Sequence, residues 1–82
     1  MTEAFISKNV KLSLEFDQYL ATHPKLFESI PNGAYIVITI SGDDRFNEDS
    51  ISIVQDLKRK KIVEAHKSSN KWSLRPFKLR MA

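Results

Sequence analysis

The chain contains no cysteine, two glycines, three prolines and one tryptophan in 82 residues. Without cysteine there is no disulfide framework, no thiolate metal site and no cysteine nucleophile, so packing alone must hold the fold. Two glycines do not make a glycine-rich phosphate loop, and the acidic residues of the richest turn would repel the phosphate such a loop cradles. No apolar run approaches the roughly 18 residues that span a bilayer. The opening Met1-Thr2-Glu3-Ala4 lacks the basic flank and apolar core of a secretory signal. These absences predict a cytoplasmic protein with no membrane association and no implied cofactor.

What is present centres on Ala34-Tyr35-Ile36-Val37-Ile38-Thr39-Ile40-Ser41. This run is apolar or β-branched at nearly every position, which reads as a central strand covered on both faces. Pro31-Asn32-Gly33 precedes it and Gly42-Asp43-Asp44 follows, so turn signals bound it on both sides. Upstream, Phe5, Leu12, Phe16, Tyr19 and Leu20 recur at helical spacing, predicting an amphipathic helix over residues 3–21. Asn9 fills the open slot of that stripe, where it would orient a ligand, fix helix pairing or simply meet water at the rim. Ile6, Val10 and Leu14 lie outside the stripe and predict that the helix is covered on more than one side.

Thr22-His23-Pro24 breaks this helix and Pro24 starts a short second one over residues 24–30, with Leu26, Phe27 and Ile30 facing the core. His23 reads as a helix-junction residue. After the strand, Asn47 suits an N-cap, with Phe46 stapling to Ile51, and Ile53, Val54 and Leu57 face inward. Residues 62–67 and 71–77 alternate around Ser68-Ser69-Asn70 and predict a β-hairpin whose last strand is an edge, because Pro76 cannot donate to a ladder. Trp72 and Leu74 would face the core while Ser73 and Arg75 face outward. The prediction is a single α+β domain over residues 1–82, in the order α-α-β-α-β-β, with a three-stranded mixed sheet packed with helices.

Charge is divided along the chain. Through Ser50 there are four basic and eight acidic residues, a balance of −4, and beyond it nine basic and two acidic, a balance of +7. Lys58, Arg59, Lys60, Lys61, Lys67, Lys71 and Arg75 therefore form a candidate nucleic-acid surface, with Trp72 as an interleaved aromatic. Helix-dipole compensation explains much of the first four, and edge protection explains the hairpin lysines. Asp43, Asp44, Glu48 and Asp49 follow the apolar strand, where open α/β sheets place ligands, and are candidate magnesium ligands of a hydrolase or nuclease. Capping demands the same residue types. Neither histidine has an evident orienting acid and no serine sits in a nucleophile elbow, which leaves a hydrolytic triad without support.

The stretch Lys8 to Leu20, followed by His23-Pro24 and Ile30-Pro31-Asn32-Gly33-Ala34, resembles the N-terminal half of a family of small bacterial and archaeal proteins of unknown function. That resemblance implies a related fold and supplies no site residues. A chain of this length buries only about 60% of its unfolded surface, so association would add needed stability. The functional expectation is a noncatalytic protein-interaction module that forms a homodimer or takes a protein partner. Weak nucleic-acid binding and metal-dependent hydrolysis are the alternatives.

Overall fold

The computed structural model describes residues 3–55 and 61–76. Its elements are α1 (Glu3–Thr22), α2 (Pro24–Glu28), β1 (Tyr35–Ile40), α3 (Asp44–Gln55), β2 (Ile62–Ser68) and β3 (Lys71–Pro76). The sheet order is β1-β2-β3, with β1 and β2 parallel and β2 and β3 antiparallel. This is the α+β order and the mixed sheet that the sequence predicts.

β1 is an edge strand, and β2 is the central one, which corrects the expectation for the apolar run. The run reports coverage of two faces and carries no information about neighbours on two sides. Val37, Ile38 and Thr39 are buried in succession, and successive strand residues point to opposite faces. On one face Ile38 packs in a cluster with Phe5, Leu12 and Phe16 of α1, Phe46 of α3, Ala65 of β2 and Trp72 of β3. On the other, Val37 packs with Val54 and Ile62. α3 contributes to both clusters, Phe46 and Ile53 to the first and Val54 to the second, so it lies along the outer side of β1.

A side chain secures that position. The Asn47 carboxamide accepts a hydrogen bond from the Ile40 N–H at 2.8 Å and donates one to the Ile40 carbonyl at 2.9 Å. Tyr35 and Ser41 donate their N–H groups to the carbonyls of Lys61 and Lys67 at the β2 side. The alternation of a parallel ladder then turns the peptide groups of Ile36, Ile38 and Ile40 to the free edge. Asn47 closes that edge at Ile40 as a neighbouring strand would. It is therefore not the N-cap that the sequence predicts. The cap is Asp43, whose Oδ1 accepts from the Phe46 N–H at 3.1 Å, and α3 begins four residues earlier than expected. Phe46 consequently sits within the first turn and packs at a tilt against Phe5, with ring centroids 5.1 Å apart, instead of stapling to Ile51.

Two ion pairs tie α1 to the rest of the fold. Lys67 donates to both carboxylate oxygens of Glu15, at 2.6 and 2.7 Å, and Lys8 pairs with Asp43 while lying over the Phe46 ring. Glu15 and Lys8 are substantially exposed, so solvent screening leaves each pair little to add to stability and its chief effect is to fix orientation. Gly33 and Gly42 flank β1 at φ +77° and +87°, with open space where a Cβ would stand. Backbone conformation, not crowding, is what requires glycine there. In α2, Leu26 and Ile30 pack on the core but Phe27 is exposed, against the expectation that all three face inward. The hairpin turns at Ser69, which has a positive φ, and β3 is an edge that ends at Pro76.

Replacing Asn47 with Ala should destabilise the domain by about 1–3 kcal/mol in urea unfolding, because both Ile40 peptide groups lose their partner at a half-buried site. An Asn47→Asp variant keeps the acceptor but sets a carboxylate against the Ile40 carbonyl, and should also unfold more readily than the wild type. A neutral Asn47→Ala would show that the clamp contributes nothing. The Lys8 ammonium, hydrogen-bonded to Asp43, and the Phe46 amide hold the Asp43 carboxyl below its ordinary range. A carboxyl whose folded pKa is depressed stabilises the fold above its unfolded pKa of about 3.9, and that contribution is lost as pH falls through the folded value. Asp43→Asn keeps the capping oxygen and removes the ion pair. Its urea midpoint should lie below that of wild type at neutral pH, and the gap should shrink as pH falls below about 4.

Candidate functional site

The parallel and antiparallel registers place Thr39 of β1 beside His66 of β2, and His66 beside Ser73 of β3, with Glu64 opposite Arg75. All project from the face that carries Val37 and Ile62. Thr39 is buried and donates its hydroxyl to Glu64 Oε2 at 2.6 Å. His66 Nδ1 lies 2.7 Å from the same hydroxyl oxygen. Because a carboxylate only accepts, the Thr39 proton goes to Glu64 and the imidazole must donate from Nδ1. Nε2 is thereby the ring nitrogen left for another partner. Arg75 reaches Glu64 Oε2 at 3.3 Å and is half-exposed, whereas Glu64 and His66 are mostly covered.

This arrangement supplies what the sequence does not show, an acid next to His66. The signal was latent in the alternation of β2, where Glu64 and His66 share a face two residues apart. Thr39 came from a strand 25 residues away, and only the register reveals it. The set orients an imidazole and satisfies a buried hydroxyl.

The sequence-predicted basic residues separate. Lys58, Arg59 and Lys60 lie outside the described residues. Lys67 is on the α1 side of the sheet, largely buried and held by Glu15, while Arg75 is on the opposite face with Glu64. Lys61 and Lys71 are exposed. Trp72 is buried against Phe16, with ring centroids 5.0 Å apart, so it offers no stacking surface for a base. Of the acidic residues, Asp43 caps α3 and pairs with Lys8, Asp44 opens the helix, and Glu48 and Asp49 lie in its second turn. Among the described residues, no three His, Cys, Asp or Glu side chains come together to hold a metal ion. His23 accepts its place at the helix junction, stacked on Tyr19 with its Nδ1 2.8 Å from the Tyr19 carbonyl.

The remaining surface feature is apolar. Ile6, Val10 and Leu14 form one row at steps of four along α1, on the side away from the core, and are 50%, 53% and 59% exposed. Phe27 is 62% exposed and lines a shallow recess with Asp17, Leu20, Ala21 and Pro24, which places it beyond the Leu14 end of the row. The sequence marks this row as a second apolar side, and within the described residues nothing covers it. No helix among them is long and apolar enough to cross a membrane.

Residues 4–65 match a family of unknown function, DUF5647. No curated protein and no solved structure matches the chain. The family match runs from α1 through α3 and into β2, further than the likeness carried by the His-Pro and Ile-Pro-x-Gly-Ala segments, and leaves residues 1–3 and 66–82 outside, among them the end of β2 and all of β3. Because it takes in well over half of the sequence, the chain belongs to the DUF5647 family of unknown function.

Proposed function

We propose that the protein is a noncatalytic interaction module that works as a homodimer, paired through the outer row of α1. The observation that carries this reading is the exposure of Ile6, Val10 and Leu14 on a helix whose opposite side is already buried in the core. Single exposed apolar residues are ordinary, whereas an aligned row of three with Phe27 beyond it is the composition of an interface.

A second copy of the chain is the occupant that this shape favours. Residues at steps of four form a single ridge, and two such ridges interdigitate when helices cross at about −50°. A two-fold axis near Val10 then sets the row against itself, Ile6 of one protomer beside Leu14 of the other, with no second recognition surface required. Burying the exposed parts of these three side chains on both protomers removes roughly 500 Å² of apolar surface, a gross gain of about 13 kcal/mol. Association costs about 4–15 kcal/mol, so rim contacts and Phe27 must supply the margin for a dimer of micromolar strength.

The nucleic-acid reading rests on fewer free cations, since Lys67 and Arg75 are engaged by Glu15 and Glu64. The metal-dependent reading loses the service of Asp43, whose two oxygens already have partners. A cytoplasmic setting accords with the cysteine-free composition.

Sedimentation equilibrium at micromolar protein should give the mass of a dimer, and Val10→Glu should give a monomer with the wild-type far-ultraviolet circular dichroism, since Val10 makes little contact with its own core. A wild-type chain that stays monomeric throughout that range would overturn the proposal. So would a Val10→Glu protein that remains fully dimeric.

A further inference from the structure

Between α1, α3 and β1 lies a recess of about 210 Å³. Tyr35, Ile36, Val37 and Ile38 all contribute to its wall. Side chains alternate faces along a strand, so contact with four residues in succession means that the recess follows the strand's edge. That is the edge to which the peptide groups of Ile36 and Ile38 are turned. Asn47 fills the equivalent position at Ile40, and no described residue bonds the other two.

The rest of the wall is amphipathic. Phe16 and Ile53 give it an apolar body, and Asn9, Ser13 and Ser50 give it polar groups. Ser13 donates to Asn9 Oδ1 at 3.3 Å, which leaves the Asn9 amide N–H groups for another partner. Ser50 is 3% exposed, and its hydroxyl is the buried side-chain polar atom that lacks a partner among the described residues. A buried hydroxyl without a partner is costly, and its presence in a cavity wall points to a polar group supplied from outside the chain. Asp17 also lines the recess, and its carboxylate opposes an anionic occupant.

We propose that this recess binds a small, neutral, ring-sized molecule bearing a carboxamide or lactam edge, which pairs with the free peptide groups of Ile36 or Ile38 as the Asn47 side chain pairs with Ile40. The size fits, since a cavity of about 150 Å³ takes benzene. A carboxamide presents one acceptor and one donor side by side, and the edge-facing N–H and C=O of a single strand residue are their complement. The neighbouring α3 occupies the space that an added peptide strand would need, so a small molecule is the better occupant. This site is independent of the α1 row, and either can fail without the other.

The test is a titration of the full-length ¹⁵N-labelled chain with benzamide, toluene and sodium benzoate, followed by amide chemical shifts. Benzamide should bind saturably, with shifts concentrated at Asn9, Ser13, Ile36, Ile38 and Ser50, and about tenfold more tightly than toluene. Benzoate should bind more weakly than benzamide. Ile53→Phe, which fills the recess, should abolish the shifts, and Ser50→Ala, a milder change that the fold should tolerate, should weaken benzamide several-fold more than it weakens toluene. Toluene or benzoate binding as well as benzamide would overturn the amide recognition. Shifts scattered over the surface, or none that saturate, would overturn the site.

Discussion

The fold depends on how one strand edge is closed. β1 enters a parallel pair with β2 and, among the described residues, has no strand on its other side, so its outward peptide groups must find partners or stay open. Asn47 closes the end nearest the Gly42 turn with two hydrogen bonds to one residue, Ile40. That contact sets α3 alongside the strand, which lets Phe46 and Ile53 join the α1 side of the core while Val54 joins the other. Asp43 then caps the helix and, through Lys8, ties it back to α1. A sheet of three strands and one long helix would otherwise leave its second apolar cluster with little cover.

The division between what the sequence showed and what it hid follows range. Helical spacing in α1, the break at His23-Pro24, the hairpin and the inward placing of Trp72 were legible, because each is decided by neighbours within a few residues. The strand order was not. Continuous apolar character says that both faces of β1 are covered, and an edge strand flanked by a helix satisfies that as well as a central strand does. Asn47 was legible as a helix-start residue of the right chemistry, but Asp43 has the same chemistry four positions earlier, and only the distance to Ile40 decides between them. The Thr39, Glu64 and His66 set joins residues from different strands, and sequence spacing cannot express a register.

Function divides in the same manner. Ile6, Val10 and Leu14 were visible as a second apolar side of α1, and the structure adds that no described residue covers them. The seven basic residues were visible as a count, yet the fold sends Lys67 to one side of the sheet and Arg75 to the other, each toward a carboxylate. A surplus of charge along the chain therefore says little about a charged surface until the strands assign the sides. The likeness carried by His-Pro and Ile-Pro-x-Gly-Ala proved to mark a family that reaches into β2.

The central claim is that β1 is an edge strand closed at Ile40 and open at Ile36 and Ile38. Amide hydrogen exchange, residue by residue, tests it most directly. Tyr35, Val37, Thr39 and Ser41 should be protected through β2, and Ile40 should be protected through Asn47, becoming fast in Asn47→Ala. Ile36 and Ile38 should exchange much faster than their neighbours on either side. Uniform protection from Tyr35 to Ser41 would contradict the account, because it would require a further strand along the edge that the recess and α3 are here held to occupy.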